Sequence, residues 1–144
     1  IQCCLVGSEM CIRDRDSTFK FEDNQSFTTP FRKLSDKQEN FSIGYDKGKF
    51  DIRLAMNSRG EYLDWLADEE SDIDKVSLQN SRFVAPHEQW DLKASYEIND
   101  NFRLKFEITN IEDRPEYYYW GYNDRLSQYD EYGTSYAIGF TYNN

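Results

Sequence analysis

From Asp16 onward, apolar and polar residues alternate with a period of two. In "WDLKASYEI", Trp90, Leu92, Ala94, Tyr96 and Ile98 share one parity, and Asp91, Lys93, Ser95 and Glu97 hold the other. "FRLKFEIT" repeats the pattern with Phe102, Leu104, Phe106 and Ile108 against Arg103, Lys105, Glu107 and Thr109. Successive side chains of a strand point to opposite faces, so each stretch predicts a strand with one apolar and one charged face. Asn99, Asp100 and Asn101 between them tolerate left-handed backbone, which predicts a tight hairpin. Upstream, "FSIGY" and "FDIRLAM" flank "DKGK" in the same way, with Phe41, Ile43, Tyr45, Phe50, Ile52, Leu54 and Met56 apolar. At the C-terminus, Tyr132, Thr134, Tyr136, Ile138, Phe140 and Tyr142 alternate with Gly133, Ser135, Ala137, Gly139 and Thr141. "STFKFED", residues 17–23, is a weaker candidate for a first strand.

These elements predict an all-β, antiparallel meander. Its connections alternate in length: tight at 46–49 and 99–101, long and polar at 60–86 and 111–127. Short turns at one end and long loops at the other are the habit of a transmembrane β-barrel. A soluble β-sandwich also produces alternation, with shorter strands and turns every 8 to 12 residues or so. The placement of basic residues favours the barrel. Arg53, Lys93, Arg103 and Lys105 all avoid the apolar parity, where a lipid-facing cation at mid-depth costs about 2–4 kcal/mol.

Composition narrows the classes further. The chain is 38% hydrophobic yet 17% aromatic, with mean hydropathy −0.89, and has no run near the roughly 18 apolar residues of a membrane helix. Alternating strands average out to polar, so a barrel stays compatible. A net charge of −10 without a basic stripe argues against a nucleic-acid partner.

Cys3, Cys4 and Cys11 all lie in "IQCCLVGSEMCIRDR", and no cysteine follows. That spacing suits no zinc site, and the segment lacks the basic start and small-residue cleavage site of a signal peptide. The ten residues Leu5 to Asp14 instead resemble the translation of a transposon adapter used in preparing shotgun sequencing libraries. The adapter's leftover bases force Ser or Arg next, and Arg15 obeys. Residues 1–15 are therefore read as a non-native, adapter-derived segment, and 16–144 as the protein proper.

Four stretches, "IGYDKGKFDIRLAMNSRGEYLD", "RFVAPHEQWDLKASYEIND", "FRLKFEITNIEDRPEYYYWG" and "RLSQYDEYGTSYAIGFTYNN", resemble in order the C-terminal part of a TonB-dependent outer-membrane receptor. "NIEDRPEYY" resembles the family's motif where the penultimate strand meets a loop, and "YDEYGTSYAIGFTY" its final strand. The resemblance implies about the last six strands of a barrel of about 22, in the outer membrane of a Gram-negative bacterium. It also implies energised uptake of a scarce solute, siderophore iron or an oligosaccharide. The implied partners are outer-membrane lipid, the missing plug domain and remaining strands, the inner-membrane TonB complex and the barrel-assembly machinery. Tight turns would then be periplasmic and long loops extracellular. Asn144 departs from the family's usual terminal aromatic residue. The alternative kept beside this reading is a soluble β-sandwich ligand- or carbohydrate-binding module.

Candidate chemistry is sparse. His87 is the single histidine and has no nucleophile motif near it, so no enzyme, catalytic residue or cofactor is expected. "DEESDID", from Asp68, lacks the turn Gly and terminal Glu of a calcium loop, and no metal is expected. In the long loops, Tyr62, Trp65, Tyr117, Tyr119, Trp120, Tyr122 and Arg125 are candidates for stacking on a sugar or chelated-iron ligand. The competing reading is an aromatic girdle at the membrane interface. Asp91, Lys93, Glu97, Arg103, Lys105 and Glu107 are expected to form a lumen-facing charged wall against the plug.

Overall fold

The computed structural model describes residues 2–12, 16–20, 26–67 and 77–143. Twelve strands run in chain order: β1 (Gln2–Ile12), β2 (Asp16–Lys20), β3 (Ser26–Pro30), β4 (Lys37–Lys47), β5 (Phe50–Arg59) and β6 (Tyr62–Ala67). They continue as β7 (Ser77–Val84), β8 (His87–Asn99), β9 (Phe102–Thr109), β10 (Glu116–Trp120), β11 (Leu126–Asp130) and β12 (Ser135–Tyr142).

The main sheet has the order β1-β4-β5-β8-β9-β12, antiparallel throughout. Its tight turns are the predicted ones, and Gly48 at the β4–β5 turn takes φ 62°, a left-handed value that glycine adopts without steric cost. Register preserves the alternation across the whole sheet. Ile43, Leu54, Leu92, Ile108 and Tyr136 stand side by side in one row, and Tyr45, Ile52, Ala94, Phe106 and Ile138 in the next. On the opposite face Gly44, Arg53, Lys93, Glu107 and Ala137 form a row, followed by Asp46, Asp51, Ser95, Lys105 and Gly139.

The apolar face has no cover. Tyr136, Ile138 and Phe140 are 70%, 77% and 73% exposed, and Phe50, Tyr96 and Leu104 are exposed as well. Extensive contacts between elements run only between hydrogen-bonded neighbours, so no second layer packs on this sheet among the described residues. What holds the face together is lateral: Phe50 meets Tyr96 at 5.7 Å, and Phe102 stacks on Phe140 at 5.7 Å. The sheet is open, because β1 and β12 are not neighbours.

The predicted long loops contain strands. Residues 60–86 hold β6 and β7, residues 111–127 hold β10 and the start of β11, and these pair as a second sheet, β11-β10-β7-β6. That order repeats β12-β9-β8-β5, so the second sheet continues the meander beyond a line of breaks at Gly60–Glu61, Ala85–Pro86, 110–115 and 131–134. Here lie the buried apolar side chains among the described residues, Leu63, Leu66, Val84 and Tyr119, of which Leu63 and Val84 are fully enclosed. The segment after β3 leans on it, with Arg32 bridging to Leu63 and the Lys33 N–H donating to the Leu63 carbonyl at 2.7 Å.

Two further expectations differ. Of "STFKFED", residues 21–23 lie outside the described residues; residues 17–20, in β2, form a separate hairpin with β3, whose register opposes Phe19 and Phe27. The place beside β4 is taken instead by β1, within the adapter-like segment. An edge strand offers a row of unpaired N–H and C=O groups, and any extended segment can satisfy them without reading its side chains.

Candidate functional site

The second sheet is built around aromatic residues. Leu63 lies opposite Phe83, and Phe83 opposite Tyr119, with the last two rings stacked at 5.6 Å. Val84, between Tyr62 and Tyr118, is fully buried. Gly121 closes β10 at φ 64°, its N–H bonded to the Ser81 carbonyl at 2.9 Å. A Cβ there would stand 2.1 Å from the Gln79 carbonyl oxygen, so only glycine admits this approach.

Of the seven candidate ligand residues, Tyr62, Trp65, Tyr117, Tyr119 and Trp120 are on β6 and β10, and Tyr122 and Arg125 are in the turn to β11. Trp65 and Trp120 meet edge to face at 5.8 Å, and Trp65 stays largely exposed. Tyr122 is exposed beside them in sequence. Tyr119 is engaged in packing: it is 5% exposed, and its hydroxyl donates to the Glu61 carboxylate. Burial first, and that hydrogen bond second, push its phenol well above the ordinary value. Tyr118 is pushed up to about 12 by burial and then by its hydrogen bond to Glu116. The Tyr117 hydroxyl donates to the Asn123 carbonyl, and Arg125 donates to the Gln79 carbonyl at 3.1 Å. Trp65, Trp120 and Tyr122 thus remain to offer ring surface.

Arg59 ties the two sheets together. Its guanidinium pairs with Glu116, donates to the Tyr62 hydroxyl at 3.2 Å and lies 5.2 Å from the Tyr62 ring centre. Arg82 does the same within the second sheet, paired with Asp64 and over Tyr118 at 5.4 Å.

The six wall residues all fall on the polar face of β8 and β9. Lys93 meets Glu107 at 2.7 Å and Arg103 pairs with Glu97, each directly across the strands. Asp91 accepts from the Gln89 side-chain amide at 2.9 Å and from the Asn110 N–H at 3.1 Å. Lys105 forms no ion pair among the described residues and lines a shallow cleft with Asp51, Lys93, Glu107 and Gly139. His87 lies at the other end of this face, in a cleft with Gln38, Asn40, Asn57, Arg59 and Gln89.

Asn110 escaped recognition as a structural centre, although "NIEDRPEYY" begins with it. It is 6% exposed at φ 57°, and its side chain accepts from the Arg114 N–H at 3.0 Å and donates to the carbonyls of Arg114 and Gly133. Its own carbonyl accepts from the Thr134 hydroxyl at 2.9 Å. One residue thereby fastens the breaks β9–β10 and β11–β12.

Among the described residues no group of three His, Cys, Asp or Glu side chains is arranged to hold a metal; "DEESDID" lies outside them. Compared with protein families, curated proteins and solved structures, the chain matches none of them.

Proposed function

We propose that residues 16–144 are the C-terminal strands of a TonB-dependent outer-membrane receptor, an importer of a scarce solute driven by an inner-membrane energising complex. The observation that carries the reading is the apolar face, continuous in register over five strands and left without a second layer among the described residues. Water does not tolerate contiguous apolar surface of this extent, and lipid does. A sandwich would bury that face against another sheet.

The two ends differ as a barrel wall requires. Tight turns at Gly48 and Asn101 close one end, which the reading makes periplasmic. At the other, the second sheet extends the strands outward, with Trp65 and Tyr122 exposed and Trp120 half-buried where an incoming solute would arrive. The paired charges of the opposite face line the interior against the plug. Alone the strands leave two unpaired edges, so the fragment transports nothing.

Completion of the reading frame upstream of codon 16, with expression in a Gram-negative host, tests this. The product is expected in the outer-membrane fraction, with solute uptake that stops when the inner-membrane proton gradient is dissipated. Recovery of residues 16–144 as a soluble, monodisperse monomer would contradict it.

A further inference from the structure

The cleft beside His87 lies on the polar face, where β4, β5 and β8 approach the second sheet. Two cross-strand rows build it. Gln38, Arg59 and His87 stand side by side, and one row on stand Asn40, Asn57 and Gln89. Four of these six side chains are carboxamides, each able to donate and accept at once. The side chains of Gln38, Asn40, Asn57 and His87 engage in no hydrogen bond or ion pair within the described structure, whereas further along this face Lys93 pairs with Glu107 and Arg103 with Glu97. Arg59, the cation among the described lining residues, is already paired with Glu116. No carboxylate is among those described lining residues.

Such a surface selects by hydrogen bonding rather than by charge. An anionic ligand, such as a ferric catecholate or a carboxylate chelate, meets no uncompensated positive charge here, so leaving water brings it no ionic return. A neutral sugar presents vicinal hydroxyls that each donate and accept, the same dual character as the carboxamides opposite. Tyr62, under the Arg59 guanidinium, puts an aromatic ring at the margin of the cleft.

We infer that this carboxamide cleft is a subsite for a neutral oligosaccharide, which assigns the imported solute to the carbohydrate class. The inference rests on the importer reading above and decides between the two solute classes that the sequence leaves open.

The test uses the complete receptor, purified in detergent, in wild-type form and as Asn40→Leu, Asn57→Leu and Gln89→Leu. Heat-modifiable migration on a gel reports the folded barrel, independently of any ligand. Calorimetry then measures binding of maltohexaose, laminarihexaose, xylohexaose and mannohexaose, with ferric enterobactin and ferric citrate as the anionic arm. The expected result is binding of at least one hexasaccharide and neither iron chelate, with about tenfold or greater weakening in each variant. Asn57→Ser, whose hydroxyl donates and accepts where Leu can do neither, should recover part of the affinity. Binding of an iron chelate, binding of no hexasaccharide, or saccharide binding unchanged in all three Leu variants would overturn the subsite while the migration assay still upheld the barrel. Loss of heat-modifiable migration in the wild type would overturn the importer reading itself.

Discussion

Gly121 is held by two constraints at once, a left-handed φ of 64° and the Gln79 carbonyl where a side chain would begin. Left-handed backbone alone costs an alanine about 1–2 kcal/mol, and the 2.1 Å overlap with backbone forces β10 away from β7. Gly121→Ala is therefore expected to speed hydrogen exchange at the amides of residue 121 and Ala85, which bond to the Ser81 and Tyr117 carbonyls across this pairing, while β8 and β9 stay protected. Asn110→Ala removes from a buried position the side-chain hydrogen bonds to the Arg114 N–H and to the Arg114 and Gly133 carbonyls, a loss of about 1–3 kcal/mol, to be read by denaturant unfolding. Its neighbours in "NIEDRPEYY" gave the motif away in the sequence, but the hydrogen bonds to residue 133 join positions that only the folded meander brings together. Tyr118 makes a pH prediction. Its phenol ionises near 10 when unfolded and near 12 in place. Its contribution to the second sheet is thus complete below pH 10 and declines as pH rises from 10 through 12. Ultraviolet titration should show a late phenolate component that Tyr118→Phe removes.

At the scale of elements, legibility followed regularity. β4, β5, β8, β9 and β12 were readable because each keeps strict alternation, and the register then carries that alternation from strand to strand. β6 and β7 were not, because their pairing slips between Leu63 and Trp65 and again between Trp65 and Ala67, which breaks the period of two. "EYYYW" in β10 is aromatic on both faces, with Val84 and Phe83 to meet each side, so it shows no period at all. The same alternation explains what the charged pairs contribute. Lys93 and Glu107 sit 63% and 41% exposed, where solvent screens an ion pair and leaves little net stability. A double-mutant cycle of Lys93→Ala and Glu107→Ala is expected to give no coupling beyond experimental error; a clear coupling would mean that the pair is enclosed.

For the whole molecule, the decisive feature is an apolar sheet face that nothing in the described chain covers. Its composition was legible from parity, and its openness was not, since alternation is the same whether a second sheet or lipid lies against it. β1, in the adapter-like segment, pairs with the edge of β4, and backbone pairing of that kind does not read side chains. Ile138, in the middle of β12, separates the two environments most sharply. It is 77% exposed, while Ala137 beside it faces the polar side. The most direct measurement is folded outer-membrane yield of the proposed receptor carrying Ile138→Arg or Ala137→Arg, read as heat-modifiable band. A lipid-facing wall predicts that Ile138→Arg loses about 2–4 kcal/mol and most of that band, while Ala137→Arg keeps it. Equal yields for the two, or a folded and more soluble Ile138→Arg protein, would contradict the account.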